Sequence, residues 1–148
     1  MPKFLLLLAL AALLLGAAMP VSMEEELLQH CNEVRQAQGL LPLEFNWELA
    51  RVARHKTEDM RLHAYFGPNS PMFGSVFDML KNFNILFQAA DLNVAKGGNT
   101  PQAVLEDWLA TPSQRQRLLD PAFTQAGVGY TQEGDLWAII LIAEEGAH

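Results

Sequence analysis

The sequence predicts an α+β domain in which helices lie on both sides of a small, mainly antiparallel sheet. Three observations carry this. The segment Leu136-Trp137-Ala138-Ile139-Ile140-Leu141-Ile142 is apolar at every position. A strand with one wet face would alternate, so this strand is expected to be covered on both faces. Residues 125–131 form a second strand pattern, joined to the first through Gln132-Glu133-Gly134-Asp135, which reads as a hairpin. Amphipathic helical patterns fill most of the chain before the hairpin and supply the cover.

Taken in order, a helix is expected over 24–38. Glu24, Glu25 and Glu26 suit the positive end of its dipole, and Leu27, Cys31 and Val34 recur on one face. Gly39 is its stop. Asn46 is the N-cap of a second helix that runs to about His63. Leu49, Val52, Ala53 and Met60 form its apolar face, with Arg51, Arg54, His55 and Glu58 turned outward. The loop Gly67-Pro68-Asn69-Ser70-Pro71 follows, then a short helix over 74–83 that carries Val76, Phe77 and Leu80. Residues 85–95 read as a strand, closed by Lys96-Gly97-Gly98-Asn99. Thr100-Pro101 opens the next helix, where proline at the first position loses no hydrogen bond. That helix buries Val104, Leu105, Trp108 and Leu109 and ends at Pro112. Ser113 is the expected cap of a short helix through Leu119.

Composition narrows the function. The chain has 148 residues, half of them hydrophobic and 18% charged, enough for one packed domain. Its net charge of −7 and scattered basic residues argue against a nucleic-acid partner, which requires clustered Lys and Arg. The single cysteine, Cys31, excludes an intramolecular disulfide and a cysteine-based zinc site; on its helical stripe it reads as a small buried hydrophobe. Lys3, the apolar run from Phe4 to Leu15 and Gly16-Ala17-Ala18 read as a signal peptide over 1–18, with the cleavage point as late as about residue 22. The run is short of the ~20 residues of a spanning helix. The chain is therefore expected to be secreted or held in the cell envelope, and to meet a membrane only through this segment if it stays uncleaved. The folded domain is expected over 24–144.

Local residues then point to a family. Asn32-Glu33-Val34-Arg35, Gly39-Leu40-Leu41-Pro42-Leu43 and Trp47-Glu48-Leu49-Ala50 resemble the opening "N-x-x-R…GL-x-PL…LA" of the CAP superfamily, its bacterial SCP-like branch in particular. Glu58-Asp59-Met60, Ser75-Val76-Phe77-Asp78, Thr111-Pro112-Ser113-Gln114-Arg115, Leu118-Leu119, Pro121, Phe123 and Gly127-Val128-Gly129 follow in the family's order. The resemblance implies a three-layer α-β-α sandwich.

It also implies a cleft with a histidine in "F-S-H-x-SP", a glutamate in "GENIA" and a histidine in "SPGHR", groups that bind a divalent metal in some members. Here Phe66-Gly67-Pro68-Asn69-Ser70-Pro71 puts Pro68 at the first position, Asp91-Leu92-Asn93-Val94-Ala95 puts Leu92 at the second, and Pro112-Ser113-Gln114-Arg115 puts Gln114 at the third. Proline and leucine donate no lone pair, a glutamine amide is a poor zinc ligand, and none of the three titrates near neutral pH. The expectation is a divergent member with no cofactor, no metal ligands and no catalytic residues at that cleft.

His63, Pro68, Asn69, Leu92, Asn93 and Gln114 are the candidate cleft-lining residues, with Asn93 and Gln114 offering hydrogen bonds to a peptide, a lipid or a cell-envelope component. Arg35 and Asn32 are expected to serve the fold, and Trp47, Trp108 and Trp137 the core. Two other readings stand: a hydrolase built on His63 with Asp59 or Asp91, and a structural protein of the envelope or a spore layer.

Overall fold

The computed structural model describes residues 21–144. Five helices and four strands follow in the order α1 (Met23–Ala37), β1 (Glu44–Phe45), α2 (Trp47–Leu62), α3 (Val76–Asn82), β2 (Ala89–Lys96), α4 (Pro101–Ala110), α5 (Pro112–Leu118), β3 (Gln125–Thr131) and β4 (Leu136–Ala143). The sheet order is β1-β3-β4-β2. β4 is antiparallel to both β3 and β2, and β1 joins β3 in parallel.

Strand periodicity divides the core into two layers. Trp137, Ile139 and Leu141 of β4 enter the layer under α1, α4 and α5, with Leu27, Cys31, Val104, Trp108 and Leu118. Leu136, Ala138, Ile140 and Ile142 enter the other, with Leu49, Val52 and Met60 of α2 and Val76, Met79 and Leu80 of α3. Every residue from Leu136 to Ile142 is buried, so the unbroken apolar run is the centre of the three-layer sandwich.

α2 lies directly on the backbone of β3. A Cβ at Gly127 would come within 2.1 Å of Ala50 N, and one at Gly129 within 2.3 Å of the Ala53 carbonyl carbon. Only glycine permits that approach. Arg35 is buried as well. It donates to the carbonyls of Leu41, Leu118, Asp120 and Phe123, stitching α1 to the loops before β1 and β3.

Several elements differ from expectation. The ladder of β2 starts at Ala89 rather than residue 85, because Asn84 turns left-handed at φ 60° and the Ile85 amide closes back on Leu80. β1 carries too little pattern to be seen in the sequence; its two residues form a strand because β3 lies beside them. α5 starts at Pro112 and not after a Ser113 cap: Thr111 precedes it, and its hydroxyl is spent on the Asp107 carbonyl of α4. α3 buries Met79 and exposes Phe77, and Ser75 caps it through a reciprocal bond with Asp78. Trp108 and Trp137 are core residues, but Trp47 is 64% exposed. The expected signal segment, 1–18, lies outside the described residues. Among those described, no helix is long and apolar enough to cross a membrane.

Candidate functional site

The loop after α2 is fastened to the domain by a buried polar network. Lys56 and Asp59 lie one turn apart on α2, and both are buried. The Lys56 ammonium donates to the Tyr65 hydroxyl and to the Pro68 carbonyl, each at 3.0 Å. The Tyr65 hydroxyl donates to Asp59 Oδ2, which also accepts from Ser70 Oγ at 2.5 Å. Ser70 Oγ in turn accepts the backbone N–H groups of Met72 and Phe73. Each end of the loop is thus tied to one carboxylate oxygen.

The other oxygen, Asp59 Oδ1, is buried without a hydrogen bond. His63 Nδ1 lies 2.9 Å from it but off line, 3.2 Å from the Asp59 carbonyl. Burial lowers the Lys56 pKa to about 8, a shift opposed by Asp59. Burial and the bond to Asp59 both raise that of Tyr65.

A second polar cluster lies on the opposite face of the sheet. Arg117 of α5 pairs with Asp91 of β2 at 3.1 Å and donates to Asn93 Oδ1 at 3.2 Å. Asn93 Nδ2 donates to the Gln114 carbonyl, and Gln114 Nε2 donates to the Val94 carbonyl. Trp108 Nε1 reaches the same Val94 carbonyl at 3.0 Å. Side chains from α4 and α5 therefore cap the outer edge of β2.

The six candidate residues do not share one hollow. His63, Pro68 and Asn69 are exposed on the loop after α2. Leu92 is buried in the core layer of α2 and α3. Asn93, its neighbour on the strand, points to the other layer, because successive side chains of a strand alternate. Asn93 is 1% exposed, and both groups of its amide are spent inside the protein. With the Gln114 amide nitrogen on Val94, the expected pair of ligand-orienting hydrogen bonds is not presented. Of the two acids considered beside His63, Asp59 is there and Asp91 is not, since Asp91 faces Arg117.

Lys56, Tyr65, Ser70 and Arg117 were not expected. A signal for Lys56 exists in the sequence: it stands four residues from both Val52 and Met60, on the apolar stripe itself. The partners that make its burial tolerable come from a loop whose conformation the pattern does not specify.

Among the described residues, no three His, Cys, Asp or Glu side chains gather to hold a metal ion. At the β2–α5 cluster the guanidinium of Arg117 already neutralises Asp91. That donor set does not fit a divalent cation.

Residues 28–143 match the family model "CAP: Cysteine-rich secretory protein family". The chain belongs to this family. The uncharacterized protein YkwD of Bacillus subtilis is 41% identical over 114 residues, 77% of this chain and 44% of that protein. The uncharacterized membrane protein YlbC of the same organism is 35% identical, over 74% of this chain and 33% of that protein. The chain thus spans less than half the length of these curated relatives.

An extracellular protein containing an SCP domain from Bacillus anthracis superposes with a TM-score of 0.79 at 26% identity, covering 86% of this chain and 45% of that one. An outer surface protein of Borrelia burgdorferi shares the fold at a TM-score of 0.76 and 18% identity, covering 83% of this chain and 93% of that one. The α-β-α layering is thus the CAP fold, with one polar cluster around Asp59 on one side of its sheet and another around Asp91 on the other.

Proposed function

We propose that this CAP domain is an exported, non-catalytic binding module whose ligand-facing element is the loop after α2. The observation that carries the reading is the brace beneath that loop. Lys56, Asp59, Tyr65 and Ser70 hold its backbone from below. Phe66, Pro68, Asn69 and Met72 are left facing outward. A rigid support under exposed apolar tips is how folds present recognition loops. Beside the loop is a cavity of about 330 Å³ that includes Met60, Tyr65, Phe66, Lys96 and Leu136 in its lining.

Pro68, Leu92 and Gln114 stand where the family pattern has two histidines and a glutamate, which supports binding over chemistry. Export is supported by the apolar N-terminal segment after Lys3 and by the extracellular and outer-surface relatives. The ligand is then an envelope component with an apolar part, an acyl chain or an apolar peptide.

The test is thermal unfolding in the presence of phosphatidylglycerol vesicles, muropeptides and apolar peptides. A ligand at a hundred times its Kd stabilises by about 2.7 kcal/mol. Phe66→Ser with Met72→Ser should abolish the shift while leaving the unliganded Tm nearly unchanged. No shift with any probe would count against the reading.

One observation favours a hydrolase instead: the 2.9 Å approach of His63 Nδ1 to Asp59 Oδ1. Ser70, however, donates to Asp59 and not to the imidazole, so that serine is not activated by the histidine. Ester hydrolysis lost in His63→Ala and retained in Ser70→Ala would restore the catalytic reading.

A further inference from the structure

The sheet has two edges, and they are treated differently. On β2 the outward Val94 carbonyl is capped by Trp108 and Gln114, and the Leu92 N–H by Asp91 Oδ1. At the β1 edge, Asn32 of α1 plays the part of one residue of a neighbouring strand. Its Oδ1 accepts the Leu43 N–H at 2.7 Å, and its Nδ2 donates to the Leu43 carbonyl at 3.0 Å.

The next outward position is Phe45. The amides of Glu44 and Asn46 are spent on Thr124 and Ala126 beside them, so alternation turns the N–H and C=O of Phe45 away from the sheet. No other described residue bonds them. They open on a groove of about 430 Å³ between α1 and β1, lined by Glu25, Leu28, Gln29, Asn32, Leu43 and Phe45.

We propose that this groove takes an extended peptide of a partner protein, added as a short strand at Phe45. An unpaired backbone N–H and C=O on one residue are complementary to another backbone. Leu28 and Leu43 offer an apolar wall for one side chain of the incoming strand. Glu25 makes no ion pair among the described residues and selects a basic residue beside it. The partner segment is therefore extended, with an apolar and a basic side chain two residues apart on the face turned to α1. This surface is separate from the braced loop, so either can fail without the other.

The experiment titrates the purified chain with a capped peptide in which a valine and a lysine two residues apart are separated and flanked by threonines, followed by amide chemical shifts. The amides of Phe45, Leu43 and Asn32 should move. The same peptide N-methylated on alternate residues should bind about tenfold more weakly, the loss of one or two main-chain hydrogen bonds. Glu25→Lys should reverse the preference between the lysine–valine peptide and its glutamate–valine counterpart. The proposal is overturned if the Phe45 amide does not move up to about 1 mM peptide, or if N-methylation leaves affinity unchanged. It is equally overturned if sedimentation shows a dimer in which the Phe45 amide is already protected, which would assign the edge to a second copy of this chain.

Discussion

Lys56 and Asp59 are buried one turn apart on α2 and are joined through the hydroxyl of Tyr65 rather than by a direct ion pair. The phenol accepts from the ammonium and donates to the carboxylate, so one oxygen serves both charges. Removing it leaves each charge one partner short in a site with little access to water. Tyr65→Phe should therefore cost about 2–4 kcal/mol, more than its small change in volume suggests. A double-mutant cycle with Lys56→Met should show coupling above about 1 kcal/mol. Urea unfolding measures both.

The same lysine gives the domain a pH signature. Its pKa falls from 10.5 in the open chain to about 8 in the fold. Below pH 8 both states carry the proton and its contribution is constant. Between pH 8 and 10.5 the unfolded chain keeps the proton and the folded one releases it, so stability rises with pH over this window. Cys31, Tyr65 and Tyr130 act in the opposite sense at alkaline pH, since their pKa values are raised on folding. The measurement is therefore a difference. Wild type should gain on Lys56→Met between pH 8 and 10.5, by at most about 1.4 kcal/mol per pH unit. A flat difference would show that the ammonium is not desolvated.

Gly129 and Gly98 are both close to other residues, with different consequences. A Cβ on Gly129 would meet the carbonyl carbon and oxygen of Ala53 and the amide of Arg54 at 2.3–2.4 Å, all backbone of α2. The helix would have to lift from β3, at a cost of about 3–5 kcal/mol. A Cβ on Gly98 would meet chiefly Val104 Cγ2 at 2.9 Å, one methyl of a buried, β-branched side chain rather than backbone. Gly98→Ala should cost about 1–2 kcal/mol, less than Gly129→Ala. Thermal unfolding of the two variants separates them.

These cases show which parts of the structure the residue pattern could reveal. β4 was legible because an apolar run with no alternation has only one comfortable place, between two layers. β1 was not, because two residues carry no period and their pairing is imposed by β3. Leu92 and Asn93 were both placed in the cleft from the family motif, whereas a strand sends neighbours to opposite layers. Lys56 was legible as an anomaly on its stripe. Its meaning was not, since Tyr65 and Ser70 reach it from a loop whose path depends on the finished network.

Trp47 is the clearest case of a residue type misleading and a spacing that would have corrected it. It shares one helical face with Arg51 and His55, four and eight residues on, both of which read as outward. The structure keeps that face together: the Arg51 guanidinium lies 5.8 Å from the Trp47 ring and 5.9 Å from that of Phe83, and His55 packs on Phe83 at 4.8 Å. Such exposed contacts are worth about 0.5–1 kcal/mol, so Trp47→Ala should lower stability by no more than that. Trp108 is fully buried and caps the Val94 carbonyl, so Trp108→Ala should cost about 3–5 kcal/mol or prevent folding. Fluorescence adds a second check. Acrylamide should quench one tryptophan of the native protein readily and leave Trp108 and Trp137 dark to it, and Trp47→Phe should remove the accessible fraction.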